Sequence, residues 1–149
     1  MFRNNYKLTT IDVSGLNTAG DPANEIAACS SFMNMFRNCY CLESITLDDG
    51  SKTSKFYIQG DCNEMFAQCK KLTNIDFSYI TEDRYVGSTV NMFRNCYNLQ
   101  TIDFGHLYVT AGNDCGSMID RCFALKSIKF DADYFNDNQN IQFMDIRPV

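Results

Sequence analysis

The chain has 149 residues, enough for one domain that buries roughly 70% of its unfolded surface. An apolar content of 45% with 21% charged residues excludes wholesale disorder, and a formal charge of −5 without any Lys/Arg run argues against nucleic acid or an anionic membrane as partner. No apolar run approaches the ~18 residues of a membrane span, and the opening MFRNNYKLTTIDVSG has neither the apolar core nor the cleavage pattern of a signal peptide.

In chain order, one phrase recurs. MFRNNYKLTTIDV opens the chain, and NMFRNCYCLESITL, MFAQCKKLTNIDF, NMFRNCYNLQTIDF and a looser fifth copy follow, with starts at Met1, Met35, Met65, Met92 and Met118. Each copy keeps a Leu (Leu8, Leu42, Leu72, Leu99, Leu125), then an Ile (Ile11, Ile45, Ile75, Ile102, Ile128), then a last apolar residue (Val13, Leu47, Phe77, Phe104, Phe130). Self-similarity of this kind defines a repeat architecture. We read residues 1–149 as a single repeat domain.

Within a copy the period changes. Cys62, Met65, Phe66, Cys69 and Leu72 form the apolar stripe of a short helix, with Asp61 and Glu64 as a capping box and Ser88 and Asp114 as further N-caps. Ile75 and Phe77 then alternate with Asn74, Asp76 and Ser78, as in a half-buried strand. The linkers vary in length, and some carry a second strand-like run: KFYI, RYV or LYV. The predicted fold class is therefore α/β: a leucine-rich-repeat-like solenoid of about five helix-strand repeats with a parallel sheet on one face. Phe36, Phe66, Phe93, Leu42, Leu72 and Leu99 are its expected interior.

The copies MFRNCYCLESI, MFAQCKKLTNI and MFRNCYNLQTI resemble the BspA-like leucine-rich repeats of bacterial surface proteins, and the similarity spans essentially the whole chain. Asn5 and Ile119 depart from the pattern in the first and fifth copies. The resemblance implies a non-enzymatic module for adhesion or for binding a protein or glycan, at the cell surface or outside the cell. It implies no particular ligand.

Eight cysteines raise the question of disulfides or metal. Cys62 and Cys69, like Cys115 and Cys122, are seven apart; on a helix that is a rise of ~10.5 Å, beyond the ~7 Å limit of a disulfide. Cys39, Cys69, Cys96 and Cys122 share one register as a ladder through the core, where free thiols acting as small hydrophobes are expected; inter-repeat disulfides and metal stay open as alternatives. There is no CxxC, P-loop, HExxH or GxSxG, and the single histidine, His106, lies outside the register. No catalytic residue, cofactor or metal ligand is assigned, and the expectation is that the chain is not an enzyme.

Two outward surfaces remain. The strand face carries Thr10, Asp12 and Ser14 and their counterparts, and the binding candidates on it are Asp12, Thr46, Asp76, Asp103 and Lys129. Asp76 and Asp103 fall side by side, so they either stay solvated or attract a cation or a basic partner. The other surface is an aromatic row of Tyr6, Tyr40, Tyr97 and Phe123, interrupted by Lys70, which either binds a partner or is covered by the inserted loops. Residues 132–149 are a candidate C-terminal cap, with Phe135, Ile141, Phe143 and Ile146 as apolar cover. The first copy starts on the phrase itself, which implies self-association there or further repeats before it. The alternative to a binding module is thus a structural subunit of a larger assembly, such as a surface layer or a phage fibre, that stacks through its first repeat.

Overall fold

A computed structural model describes residues 1–18, 29–50, 56–80, 84–110 and 114–130; the candidate cap at 132–149 lies outside the described residues. Among the described residues there are seven three-residue strands: β1 (Thr10–Asp12), β2 (Ser44–Thr46), β3 (Asn74–Asp76), β4 (Arg84–Val86), β5 (Thr101–Asp103), β6 (Leu107–Val109) and β7 (Ser127–Lys129). All pair in parallel, as β1-β2, β3-β5-β7 and β4-β6. The register is the one the phrase dictates: Ile11 pairs with Ile45, and Ile75 with Ile102 and Ile102 with Ile128. RYV and LYV form β4 and β6, a second pairing outside the phrase.

The expected helices are absent among the described residues, and the α half of the predicted α/β class is corrected. The segment from Phe32 to Leu42 is a run of tight turns. Met35, Arg37, Cys39 and Leu42 donate their N–H groups to the carbonyls three residues back, at 3.0 to 3.2 Å. The amides between them leave the repeat altogether: Phe32, Asn34, Phe36 and Asn38 donate to the carbonyls of Asp61, Asn63, Met65 and Ala67 in the next copy, at 2.8 to 3.0 Å. An α-helix would send all of these amides back four residues.

Two positions in each of the last four copies make this possible, and Asn4 is the one counterpart in the first. Asn34 and Asn38, Glu64 and Gln68, Asn91 and Asn95, and Ser117 and Arg121 all have φ between 54° and 67°. That left-handed conformation breaks a helix every four residues, and asparagine tolerates it better than most side chains. Turn closure at i+3 brings residues three apart to the same side, so the spacing of Phe32, Met35, Phe36, Cys39 and Leu42 suits this run as well as it suits a helix.

The same donor pattern links Phe2 and Asn4 to the second copy, Cys62 to Gln68 to the fourth, and Thr89 to Asn95 to the fifth. The expected caps act in that frame. Asp61 accepts the N–H of Ser88 from the following copy at 3.0 Å, while Asp114 accepts that of Gly116 at 2.7 Å. Glu64 caps nothing and pairs with Arg37 instead.

The core lies between the turn run and the strands. Phe36, Phe66, Phe93, Leu42, Leu72 and Leu99 are completely buried, as the phrase register predicts. The rings of Phe2, Phe36, Phe66 and Phe93 stack in series, 5.3, 5.3 and 5.4 Å apart and within 9° of parallel. That interval is close to the ~4.8 Å between paired strands, so backbone ladder and ring stack share one repeat distance.

Candidate binding surface

The strand face is more committed to structure than its sequence implied. Asp12 accepts both the N–H and the hydroxyl of Ser14, at 3.0 and 2.6 Å, which holds its carboxyl below the usual carboxylate range. Ser14 was expected on the exposed face and is buried. Asp76 accepts the N–H of Ser78 at 2.8 Å, and Asp103 that of Gly105 at 2.9 Å. Each aspartate thus closes the turn after its own strand, an Asx arrangement. Gly105 is required there: its φ is +51°, and a Cβ would stand 2.5 Å from the Phe77 carbonyl oxygen.

Asp76 and Asp103 are direct partners across β3 and β5, as their register implies. On the far side Asp103 meets Lys129, whose Nζ lies 2.8 Å from its Oδ2, and this contact raises the lysine above its ordinary value. Thr46 sits exposed at the same position of β2. No group of three His, Cys, Asp or Glu side chains capable of holding a metal occurs among the described residues.

All eight cysteines are free thiols. The four in register donate to the preceding copy: Cys39 to the carbonyl of Phe2, Cys69 to Phe36, Cys96 to Phe66 and Cys122 to Phe93, at 3.1 to 3.3 Å. Burial pushes the Cys122 thiol up to about 12, Cys69 higher, and Cys96 well above its ordinary value. Thiols held protonated in this way are poor nucleophiles.

The aromatic row is continuous. Tyr6 stacks on Tyr40 at 5.1 Å and Tyr97 on Phe123 at 5.6 Å, each pair 17° from parallel. Lys70 does not interrupt the row, contrary to its reading in the sequence. Its ammonium lies 4.8 Å from the Tyr40 centroid and 5.8 Å from that of Tyr97, within cation–π range of both. Tyr6 and Phe123, at the two ends, are 51% and 63% exposed, while Tyr40, Lys70 and Tyr97 are half-buried. Rings stacked face to face along the repeats present their edges outward.

A third feature was not read from the sequence. The residue after the Met-apolar pair runs Arg3, Arg37, Ala67, Arg94, Asp120, so the third copy has a methyl group where its neighbours carry guanidiniums. A hollow of about 220 Å³ lies at this position, with the Arg37–Glu64 ion pair and Arg94 in its lining. Gln68, Asn91 and Asn95 complete the lining; each has positive φ. The signal was MFAQ standing between two copies of MFRN.

Comparison of the chain with family models, with curated proteins and with solved structures finds no match. No helix among the described residues is long and apolar enough to cross a membrane.

Proposed function

We propose that the chain is a non-enzymatic binding module, a solenoid of five stacked repeats akin to the BspA-like leucine-rich repeats, that captures a protein partner at a bacterial surface. The observation that carries this reading is the column Tyr6, Tyr40, Lys70, Tyr97, Phe123, stacked across the repeats and open at both ends. Holding tyrosines in a rigid stack lowers the entropy lost when they are covered, and tyrosine is among the residues enriched at binding hot spots. Between the two ends of the column the ring faces are occupied by neighbours, which favours a protein over a glycan there, since a sugar ring stacks on an open aromatic face.

The test is binding of the monomeric chain to immobilised matrix and cell-surface proteins and glycans, repeated with Tyr40→Ser and Tyr97→Ser. Saturable binding to a protein, weakened at least tenfold in both variants at unchanged melting temperature, supports the reading. Binding that both variants retain contradicts it. The second reading, a structural subunit stacking through the first repeat, draws on the half-buried state of Phe2 and Leu8, whose second-copy counterparts Phe36 and Leu42 are buried. It predicts concentration-dependent oligomers without ligand, altered by Ile11→Lys.

A further inference from the structure

We propose that the gap between β2 and β3 receives an extended, basic segment of a partner protein as an added parallel strand. It uses none of the residues of the aromatic column, and the two proposals stand or fall separately.

The gap is a break in an otherwise regular stack. Copies two and three are joined along the turns by the amide bonds of Phe32, Asn34, Phe36 and Asn38 and by the rings of Phe36 and Phe66, 5.3 Å apart. Their strands do not pair: the ladder runs β1-β2 and resumes as β3-β5-β7. Over part of their length β2 and β3 stand more than 8 Å apart, Cα to Cα. A strand seated between them needs about 9.6 Å, twice the ~4.8 Å step of paired strands. Little further opening is required, and the bonded turns serve as its hinge.

Backbone and side chain are both left open there. At one register Glu43 donates its N–H to the Thr9 carbonyl, Gln100 to Thr73 and Lys126 to Gln100, at 2.8 to 2.9 Å. The Thr73 N–H, at the same register beside the gap, has no acceptor among the described residues. Ile45 is half-buried, like Ile11 and Ile128 in the outermost strands of the stack, whereas Ile75 and Ile102 are 2% and 1% exposed. An extended peptide completes such a strand edge through its main chain, and one inward apolar side chain would cover Ile45. Glu43 and Lys71 reach across the gap, 3.4 Å apart and both exposed, and an ion pair in water holds the strands only weakly.

Charge chooses the partner. Asp48 follows β2 and Asp76 ends β3, and both lie close to the Tyr79 hydroxyl, which burial first and then these two charges push above its ordinary range. Neither carboxylate is in an ion pair among the described residues, while Lys71 and Lys129 are taken by Glu43 and Asp103. A strand in phrase register sets its third residue beside Asp76, as Lys129 is set beside Asp103 at 2.8 Å. A lysine there repeats a contact the stack already makes, and a carboxylate would be repelled.

The experiment is a chemical-shift and hydrogen-exchange titration of the full chain with acetyl-TKSIKST-amide, in which KSIK repeats residues 126–129. The comparators are acetyl-TDSIDST-amide and acetyl-TKSPKST-amide, whose proline has no N–H to give the ladder. The expected result is saturable shifts at the amides of 43–47 and 73–77, with the Thr73 amide open to exchange in the free chain and at least tenfold slower with the basic peptide bound. The acidic peptide should bind at least fivefold more weakly and the proline peptide should give no saturable shift. Asp48→Asn combined with Asp76→Asn keeps the side-chain oxygens and should bring the two charged peptides to the same affinity; if that variant fails to fold, the three peptides on the unaltered chain remain decisive. A Thr73 amide already protected in the free chain, equal binding of the acidic or the proline peptide, or no saturable shift at these amides would overturn the proposal. So would Thr73 protection that grows with protein concentration in the absence of peptide, which would place a second copy in the gap.

Discussion

The Sγ of Cys69 lies 3.3 Å from the carbonyl oxygen of Phe36, one repeat back, so the thiol hydrogen is spent on the stack itself. Together with Cys39, Cys96 and Cys122 it runs against the inter-repeat turn bonds, in which the amides of Phe36, Phe66 and Phe93 point to the following copy. Each Phe carbonyl in this row therefore serves two donors, one from its own turn and one from the next copy.

Cys96→Ala should accordingly cost ~1–3 kcal/mol, from a small cavity and the loss of the contact to Phe66, as measured by denaturant unfolding. Stability should also depend on alkaline pH. The buried thiols keep their protons in the folded state, Cys62 and Cys122 until about 12, whereas in the unfolded chain they release them near 9.0. Above 9 the unfolded state binds fewer protons, so stability is full below that pH and falls as pH rises toward 12. Reductant should leave the melting temperature unchanged; a large drop would mean that the cysteines form disulfides.

Arg121 has φ of 60° on an exposed turn, where glycine pays no steric penalty. Arg121→Gly should raise stability by up to ~1 kcal/mol in thermal or denaturant unfolding. A helix would give the opposite sign, because glycine in a helix interior is ~1 kcal/mol worse than alanine.

Lys70 links the two halves of the aromatic column. A double-mutant cycle of Lys70→Met with Tyr40→Leu should return a coupling of ~0.5–1 kcal/mol, the value for a partly exposed cation–π contact. Zero coupling would mean that the column is two separate pairs.

Asp76 and Asp103 face one another, yet each is already engaged, by Ser78 and by Gly105 with Lys129. Calorimetry should show no calcium binding at micromolar concentration. A saturable heat that disappears in Asp76→Asn would show that the pair recruits a cation after all.

The rows of the structure could be read from the sequence and the turns between them could not. Leu72, Ile75 and Phe77 keep their phrase register, which places them inside and pairs Ile75 with Ile102. The helix was misread because a run of i+3 turns buries the same positions as a helical stripe; the distinguishing signal was Asn34 and Asn38, repeated as Asn91 and Asn95, two residues tolerant of positive φ four apart. Asp12, Asp76 and Asp103 looked available for ligands because strand alternation gives exposure and not hydrogen bonding. Lys70 looked like an interruption because composition separates cations from aromatics, while geometry joins them.

That the phrase joins one repeat to the next, and does not close on itself, is tested most directly by scalar couplings across hydrogen bonds in solution. The inter-repeat contacts predict couplings from the amide nitrogens of Phe36, Phe66 and Phe93 to the carbonyl carbons of Met65, Met92 and Met118. Couplings from Phe36 to Phe32 and from Phe66 to Cys62, the pattern of an α-helix, would contradict it.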